Sequence, residues 1–253
     1  MDKQLIKTIE DLSLNAWPSH QIQFYDGWLL RFSYFYTHRT NCVEQMGSST
    51  LPVDEKISYC EQEYRKWGTP SIFKISPLIP AEFDCKLWKR GYEIQHSTDC
   101  MIADLSEPVQ VRNPAITVDI NNIISDSWID ALFTLKNTTN IMHRSVVPSM
   151  YHAIPKRTLC ASITVSGKVV ATGLGILDRD YIGIYAIHVH PDFRRNHAAS
   201  TLCATLLNAG RERGAKYAYL QVVSDNDPAI RLYTSLGFKY LYTYWFRVLP
   251  LHK

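Results

Sequence analysis

Residues 188–200 read HVHPDFRRNHAAS, in which an apolar strand runs through a short turn into the start of a long helix. The first N–H groups of a helix have no partner inside it, and the helix dipole is positive there, so a diphosphate fits this position. The helix opens with Ala-Ala-Ser, whose small side chains let phosphate oxygens approach the backbone, and Arg194 and Arg195 add positive charge. The pattern predicts a phosphate-binding turn, and an ordinary turn with solvated arginines is the competing interpretation.

A second segment, DNDPAIRLY at 225–233, follows a nearly continuous apolar run at 217–223 that is typical of a central strand. Pro228 suits the first turn of a helix. Ligands of open α/β sheets lie near the carboxyl ends of the strands, which makes Asn226 a candidate binding side chain. The alternative is that Asn226 or Asp227 only caps the helix.

The third segment is LYTSLGF at 232–238, where a helix ends, Gly237 turns the chain and Phe238 starts a strand. Tyr233 lies one turn before the end of that helix. Its hydroxyl is a candidate for chemistry, and the alternative is a packed tyrosine whose hydroxyl finds a local partner.

Around these segments, periodicity predicts the other elements of the second half. Polar helices are expected within 125–137, and helices with one apolar face at 198–213 and 228–236. Strands are expected at 116–120, 158–165, 168–177, 181–190 and 217–223, with one or two more at 238–248. The Ser166-Gly167 pair predicts a hairpin between the second and third of these strands.

The first half has the same alternation of helices and strands. Helices are expected over the first 17 residues, at 54–67 and from Pro80 to Trp88, and strands at 28–34, 71–76 and 97–105. The Asp26-Gly27 pair gives the first of these strands hairpin potential. Residues 106–114 contain two prolines and no sustained pattern, so we place a domain boundary there. The predicted domains are residues 1–106 and 107–253.

The three segments, in this order and spacing, resemble the motifs of the GNAT acetyltransferase superfamily. Its phosphate-binding motif, Arg/Gln-x-x-Gly-x-Gly/Ala, is matched here by Arg194 and Ala199, and His197 stands where the family usually has glycine. The family's pattern Asn-x-x-Ala-x-x-Leu-Tyr-x-x-x-Gly-Phe is matched at Asn226, Ala229, Leu232, Tyr233, Gly237 and Phe238. The resemblance covers residues 115–248, and the two motifs together are specific.

The resemblance implies an α/β fold with a mixed, α+β type of sheet, the GNAT acyl-CoA N-acyltransferase fold, here as tandem GNAT-like halves. It implies acetyl-CoA as co-substrate and transfer of the acetyl group to a primary amine of a small molecule or peptide, by direct attack on the thioester. The strand from Tyr185 to Val189 would splay from its neighbour and bind the pantetheine arm. The implied cofactor-binding residues are Ile187, His188, Val189, Arg194, Arg195, Asn196, His197, Ala198, Ala199, Ser200 and Asn226.

The resemblance also implies that Tyr233 lies near the thioester sulfur and protonates the leaving thiolate, a role that a phenol can serve. The general base stays open, because the strand before the turn carries no carboxylate. Tyr185 is a candidate base by position and His188 by chemistry, although strand alternation would let His188 face away from the site. A non-catalytic acyl-CoA-binding or regulatory protein on the same fold is the alternative function, and His197 leaves it open.

The first half resembles a degenerate copy of the same fold. Trp88-Lys89-Arg90-Gly91-Tyr92 is similar to the family's Leu-Tyr-x-x-x-Gly-Phe ending, but the stretch before the helix at 54–67 lacks the phosphate-binding motif. Segments at 17–32 and 36–41 resemble the N-terminal part of some bacterial two-part GNAT proteins. This half would complete the substrate cleft or a dimer surface. Four of its aromatic side chains are candidates either for a pocket or for core: Trp28, Tyr34, Phe35 and Tyr36.

Composition limits the other classes of function. The formal net charge of +3 and the scattered basic residues argue against nucleic acid as a partner. None of the six cysteines has zinc-ligand spacing, so no metal site is expected, and reduced thiols fit a cytoplasmic protein. No apolar run is long enough to cross a membrane and the first residues do not resemble a signal peptide. A monomer or a homodimer is expected.

Overall fold

The computed structural model describes residues 2–251 of the chain and shows a mixed α/β fold, which confirms the predicted fold class. The α-helices are α1 (Lys3–Ala16), α2 (Val53–Lys66), α3 (Ala81–Lys89), α4 (Asp126–Leu135), α5 (Ile141–His152), α6 (Ala198–Glu212) and α7 (Asp227–Ser235). The strands are β1 (Gln21–Tyr25), β2 (Trp28–Phe32), β3 (Val43–Gln45), β4 (Ser71–Ile75), β5 (Glu93–Asp104), β6 (Asp119–Asn121), β7 (Arg157–Val165), β8 (Lys168–Asp178), β9 (Tyr181–Val189), β10 (Tyr217–Val223) and β11 (Lys239–Leu249). Within residues 2–251, no helix combines the length and the apolar content needed to cross a bilayer.

All eleven strands form one mixed sheet, in the order β1-β2-β3-β4-β11-β5-β10-β9-β8-β7-β6. The last strand of each half lies beside the other half, because β11 pairs with β4 and β5 pairs with β10. The two exchanged strands also pair with each other, antiparallel. The predicted boundary falls in the segment between β5 and β6, and the division into two domains stays a prediction.

Helices cover both faces of the sheet. On β11, Tyr242 and Tyr244 belong to the core cluster that contains α1, α4 and α5, whereas Trp245 packs on the cluster of α2 and α3. Successive side chains of a strand point to opposite faces, so these two sets of helices lie on opposite sides. Likewise Tyr219 of β10 joins the α1 cluster and Leu220 joins the cluster of α6 and α7.

Helix α1 ties the two halves together. The Asp2 side chain accepts hydrogen bonds from the N–H groups of Gln4 and Leu5, which caps the helix. Its apolar stripe packs in the same core as Tyr185 and Tyr219 of the second half: Ile6, Ile9, Leu12 and Ala16. Helix α1 of the first half thus covers β9 and β10, the strands on either side of α6 in the sequence.

The predicted elements differ from the structure at a few places. Helix α5 and the three-residue strand β3 were not predicted, and the first strand of the second half, β6, begins three residues later than expected. The last segment forms one strand, β11, with register irregularities between Tyr240 and Tyr242 and between Tyr244 and Phe246. A Pro148 inside α5 explains why its helical pattern was weak.

Candidate active site

Strands β9 and β10 separate at the centre of the sheet. They pair in parallel from Tyr181–Tyr217 to Ile184–Leu220, and no pair follows although both strands continue. The edge of β9 from Tyr185 onward therefore faces an opening instead of a neighbouring strand. This is the separation expected from residue 185 onward.

A β-bulge at Ala186 changes which side chains face the opening. Ala186 has a φ of +52°, and β8 residues Thr172 and Leu174 pair with His188 and Tyr185, so β9 carries one extra residue. Ile187 and Val189 pack on the α6 cluster. By alternation, His188 therefore points away from Ile187 and Val189, to the face of Tyr185.

Beyond the last β9–β10 pair, two amides of β9 face the opening instead of a neighbouring strand. The N–H of His190 donates to the Val170 carbonyl of β8 at 2.8 Å. In an antiparallel ladder alternate residues bond to the same neighbour, so the N–H groups of Ile187 and Val189 point into the opening. They are free to bind an extended ligand between β9 and β10.

The opening leads to the start of α6. A 3₁₀ turn at Pro191–Phe193 is followed by His197, which precedes the helix in the left-handed conformation with a φ of +69°. Among residues 2–251, the N–H groups of Asn196, His197, Ala199 and Ser200 have no hydrogen-bond acceptor. These amides lie at the positive end of a 15-residue helix, an arrangement suited to binding an anion.

The corresponding loop of the first half is closed by a carboxylate. Strands β3 and β4 also run parallel, joined through the loop 46–52 and α2. There the Asp26 carboxylate accepts hydrogen bonds from the N–H groups of Thr50 and Leu51, each at 2.9 Å. The ammonium of Lys56, which is fully buried, lies 3.2 Å from the same carboxylate. An internal anion thus takes the place that is open in the second half.

Asp26→Asn is expected to lower the thermal midpoint at pH 7, because Lys56 would keep a buried charge without its carboxylate. Backbone hydrogen bonds from Leu51 and Thr50 hold the pKa of Asp26 far below its ordinary value. A carboxyl group with a depressed folded-state pKa stabilises above its unfolded pKa, about 4, and that contribution is lost as the pH falls. Thermal melts should therefore show a difference in midpoint between wild type and variant, and this difference should become smaller below about pH 4.

Asp54→Asn is the matched control, since Asp54 is an exposed acid in the first turn of α2. It should change the midpoint much less than Asp26→Asn does. Equal midpoints for wild type and Asp26→Asn at pH 7 would show that the carboxylate does not stabilise this loop.

Comparison with known proteins agrees with this geometry. The family model described as "Probable histone acetyltransferase Rv0428c C-terminal" matches residues 4–246. The chain belongs to this family. It is 25% identical over 246 residues to the uncharacterized N-acetyltransferase YobR of Bacillus subtilis, covering 96% of this chain and 98% of that protein.

Two solved structures share the fold across almost the whole chain. A GCN5-related N-acetyltransferase from Kribbella flavida has a TM-score of 0.73 at 14% identity, covering 97% of this chain and 95% of its own. A tandem GNAT protein from the clavulanic acid biosynthesis pathway has a TM-score of 0.67 at 14% identity, covering 96% and 89%. At this identity they show the fold alone. The family match, together with this shared fold, confirms the resemblance to GNAT-superfamily acetyltransferases that the motifs indicated.

In this GNAT acetyltransferase, Asn226 is both a helix cap and an open donor. Its side-chain oxygen accepts the N–H of Ala229 at 3.2 Å, so the capping interpretation is confirmed. Within residues 2–251, the side-chain nitrogen of Asn226 has no acceptor, and the residue is exposed. The amide can therefore still donate to a ligand beside the end of β10.

Tyr233 is half-buried on α7 and packs against the cluster that holds Ile187 and Val189. Its ring meets Phe238 edge-on, with 6.0 Å between centroids. Burial, with a smaller contribution from Cys203, raises the pKa of this phenol. Its hydroxyl has no hydrogen-bond partner in the described part of the chain, so the local-partner alternative finds no support and the proton is free to donate.

Tyr185 and His188 share the opposite face of β9 but differ in environment. The Tyr185 hydroxyl is buried and lies 2.8 Å from the Tyr219 hydroxyl, and burial raises its pKa. Burial, followed by the charges of Lys136 and Arg194, lowers the pKa of His188 to about 4. At neutral pH, Tyr185 is therefore a neutral phenol and His188 a neutral imidazole that can accept a proton.

The loop residues Arg194 and Arg195 are exposed beside the open amides. Arg194 donates from Nε to the Val189 carbonyl at 3.1 Å, which holds its guanidinium along the end of β9. Arg195 has a φ of +63°. Of the small residues at the start of α6, Ala198 and Ser200 are buried, and Ala199 is half-buried.

His197→Gly is expected to raise the free energy of unfolding by about 1 kcal/mol. A residue with a Cβ pays about 1–2 kcal/mol in the left-handed region, and glycine does not, although its greater freedom in the unfolded chain offsets part of the gain. Urea unfolding measures the difference. Ala199→Gly, inside α6, is the control and should lower the stability by up to about 1 kcal/mol. A His197→Gly protein no more stable than wild type would contradict the strain.

The four aromatic candidates of the first half divide between core and cavity. Trp28 is buried in the core with Phe73 and Phe83. Tyr34 and Phe35 line a cavity of about 240 Å³ together with His20 and Trp67. Tyr36 lies outside it, with its hydroxyl 2.7 Å from the ammonium of Lys136.

Sequence reasoning missed the residues that reach the site from the first half. Asp26 was quoted only as half of a turn pair, and Arg39 and Trp17 only within stretches that resemble related proteins. The side chains of Arg39 and Trp17 contact Tyr244 and Tyr185, which lie far along the chain in the second half. The buried Asn41 is structural: its side-chain oxygen accepts the N–H groups of Ser33 and Phe35 and fixes the aromatic loop.

Proposed function

We propose that this protein transfers the acetyl group of acetyl-CoA to a primary amine of a small molecule or peptide, by direct attack of the amine on the thioester. The observation that carries the proposal is the set of unpaired amides at the start of α6, continuous with the open edge of β9. The amides fit a diphosphate, and the N–H groups of Ile187 and Val189 fit the pantetheine arm that follows it. Ala198 and Ala199 leave the loop accessible, which supports the fit.

Tyr233 serves as the acid in this proposal. As the amine nitrogen bonds to the acetyl carbon, the carbon–sulfur bond breaks and the thiolate needs a proton. The raised pKa of Tyr233, caused mainly by burial, keeps the phenol protonated through the neutral range, so it can donate to the sulfur and be reprotonated from solvent. Backbone N–H groups on the open edge of β9 stabilise the negative charge that develops on the thioester oxygen.

The acceptor amine enters from the face of α1 and α4 in this proposal. Tyr185 is in place to orient the amine by hydrogen bonding, with its proton shared with Tyr219. A phenol with a raised pKa is already protonated at neutral pH and cannot act as a base, whereas the neutral imidazole of His188 has a free nitrogen for the proton, as a weak base because its pKa is lowered. His188 thus supports the base role better than Tyr185 does.

One acetyl-CoA per chain is expected, because Asp26 fills the corresponding loop of the first half. This supports the view that the first half is a degenerate GNAT-like unit that completes the cleft. Calorimetric titration with acetyl-CoA should give a stoichiometry of one. A stoichiometry of two would contradict the closed loop.

A two-stage experiment tests the function itself. A thermal-shift titration with acetyl-CoA tests binding, and release of the free thiol with a panel of amines tests transfer. Stabilisation followed by amine-dependent thiol release is the expected result. Stabilisation without thiol release on any amine would favour the non-catalytic acyl-CoA-binding alternative, and no stabilisation would contradict both.

A further inference from the structure

Arg39 is a half-buried cation without a carboxylate partner in the described part of the chain. It lies in a 3₁₀ turn at His38–Thr40, and its Nε donates to the Tyr244 hydroxyl at 3.0 Å. Within residues 2–251, no carboxylate oxygen lies within 4.0 Å of its guanidinium. Four other cations with buried side chains do have such partners: Arg31 with Glu44, Lys56 with Asp26, Lys74 with Glu10 and Arg247 with Asp84. Interior charges are normally paired, so Arg39 is an exception.

Arg39 lies where β9 and β10 separate. The Tyr244 hydroxyl that it contacts donates to the Gln221 side chain at 3.2 Å, and Gln221 follows the last residue of β10 that pairs with β9. Tyr185 is the residue at the same point of β9. Burial raises the pKa of Tyr185, and the hydrogen bond with Tyr219 and the positive charge of Arg39 act in the opposite direction.

A second unsatisfied donor borders the same tyrosine. The indole Nε1 of Trp17 is buried and has no hydrogen-bond acceptor in the described part of the chain. Its ring packs edge-on against Tyr185, with 6.2 Å between centroids, and against Tyr151 at 5.6 Å. A buried N–H without an acceptor is costly, and a bound oxygen ligand would satisfy it.

We infer that Arg39 and Trp17 bind an anionic oxyacid group, a carboxylate or a phosphate, on the acceptor amine. The inference rests on the proposed acetyl transfer, because it assigns these donors to the acceptor. The diphosphate of the co-substrate does not reach them, since its loop follows Val189, about 13 Å further along β9 than Tyr185 at about 3.3 Å per residue. The group lies on the face of α1, opposite the side that α6 covers, so the acceptor and the co-substrate meet at Tyr185 from two sides.

Matched acceptors test the inference. The panel pairs glycine, β-alanine, 4-aminobutanoate and L-alanine with their neutral amides and with aminoalkylphosphonates of the same length. We expect the best anionic acceptor to exceed its amide at least about 10-fold in kcat/KM, because a site built to bind an anion leaves its donors unpaired with the amide. The phosphonate arm tells a phosphate-bearing acceptor from a carboxylate-bearing one.

Variants test whether Arg39 causes the preference for anionic acceptors. Arg39→Gln should reduce the preference for the anion to within about twofold, mainly through KM, while the Kd for acetyl-CoA stays unchanged. Arg157→Gln, at an exposed arginine of β7, is the control and should keep the preference. Thermal melts establish that both variants are folded, and Arg39→Lys, which keeps the charge, should recover part of the preference.

The two proposals fail in different ways. Two results would overturn the anion site and leave the proposed acetyl transfer intact. One is that amides are acetylated as efficiently as anionic acceptors, and the other is that the preference for the anionic acceptor remains in Arg39→Gln. Absence of transfer to every amine, together with absence of acetyl-CoA binding, refutes the proposed function. Thermal shifts by the panel in the presence of coenzyme A give a readout without turnover, and no shift by any anionic member also overturns the anion site.

Discussion

Ala199→Asp is expected to weaken acetyl-CoA binding at least about 100-fold, which is about 2.7 kcal/mol, while the protein stays folded. The new carboxylate would lie among the unpaired amides at the start of α6, as the Asp26 carboxylate does at the loop before α2. It would occupy those amides and repel the diphosphate. An acidic residue in the first turn of a helix is favourable, so the fold should not suffer. Calorimetry with acetyl-CoA and a thermal melt measure the two effects.

Ala199→Asn is the matched control because it has the shape of aspartate without the charge. Ala199→Asn should lose clearly less affinity for acetyl-CoA than Ala199→Asp does. The difference between the two variants would measure the effect of the charge apart from that of side-chain size. Ala199→Asp binding acetyl-CoA within a few-fold of wild type would remove the start of α6 as the diphosphate site.

The elements with strong local signals could be predicted from the sequence. Strand β10 is nearly all apolar and follows a glycine, and α6 has a continuous buried face. Helix α5 had neither signal: it starts at an Asn140 cap, contains Pro148 and has few buried residues. A periodicity pattern does not reveal such a helix, because its apolar face is short and the proline inside it argues against a helix.

The exchange of strands could not be predicted. The antiparallel pairs of β11 with β4 and of β5 with β10 join residues more than 100 positions apart, and a strand carries no signal that names its neighbour. The alternation of side chains along β11 would be the same beside any neighbouring strand. The order of the sheet follows from packing both faces of long strands, which only the whole chain determines.

In the candidate site too, contiguous motifs could be predicted from the sequence, and features that depend on other parts of the chain could not. The turn before α6 and the position of Tyr233 belong to contiguous motifs, so residue types and spacing were enough to propose them. Whether a loop is open depends on a side chain outside it: Asp26 closes the loop before α2. Among residues 2–251, no carboxylate oxygen lies within 4.0 Å of the Arg39 guanidinium, which the sequence likewise does not reveal. The bulge at Ala186, which brings His188 to the face of Tyr185, likewise has no signature in the sequence.

Tyr233→Phe is expected to lower the rate of acetyl transfer about 100-fold while the Kd for acetyl-CoA stays within about twofold. The ring keeps its edge-on contact with Phe238, so only the hydroxyl is lost. That hydroxyl has no partner in the described part of the chain, so its removal leaves no unsatisfied group there. The loss should therefore fall on the step in which the thiolate leaves and not on binding.

Single-turnover measurement is needed, because product release limits the steady-state rate of many enzymes and would hide the effect. Tyr240→Phe is the matched control: Tyr240 is exposed on β11, with its hydroxyl 3.1 Å from that of Thr243, and its loss should not change the rate. An unchanged single-turnover rate in Tyr233→Phe would exclude the phenol as the acid. The thiolate would then leave without a proton from the protein. A thiolate can do so more easily than an alkoxide, because the pKa of an ordinary thiol is only about 8.5.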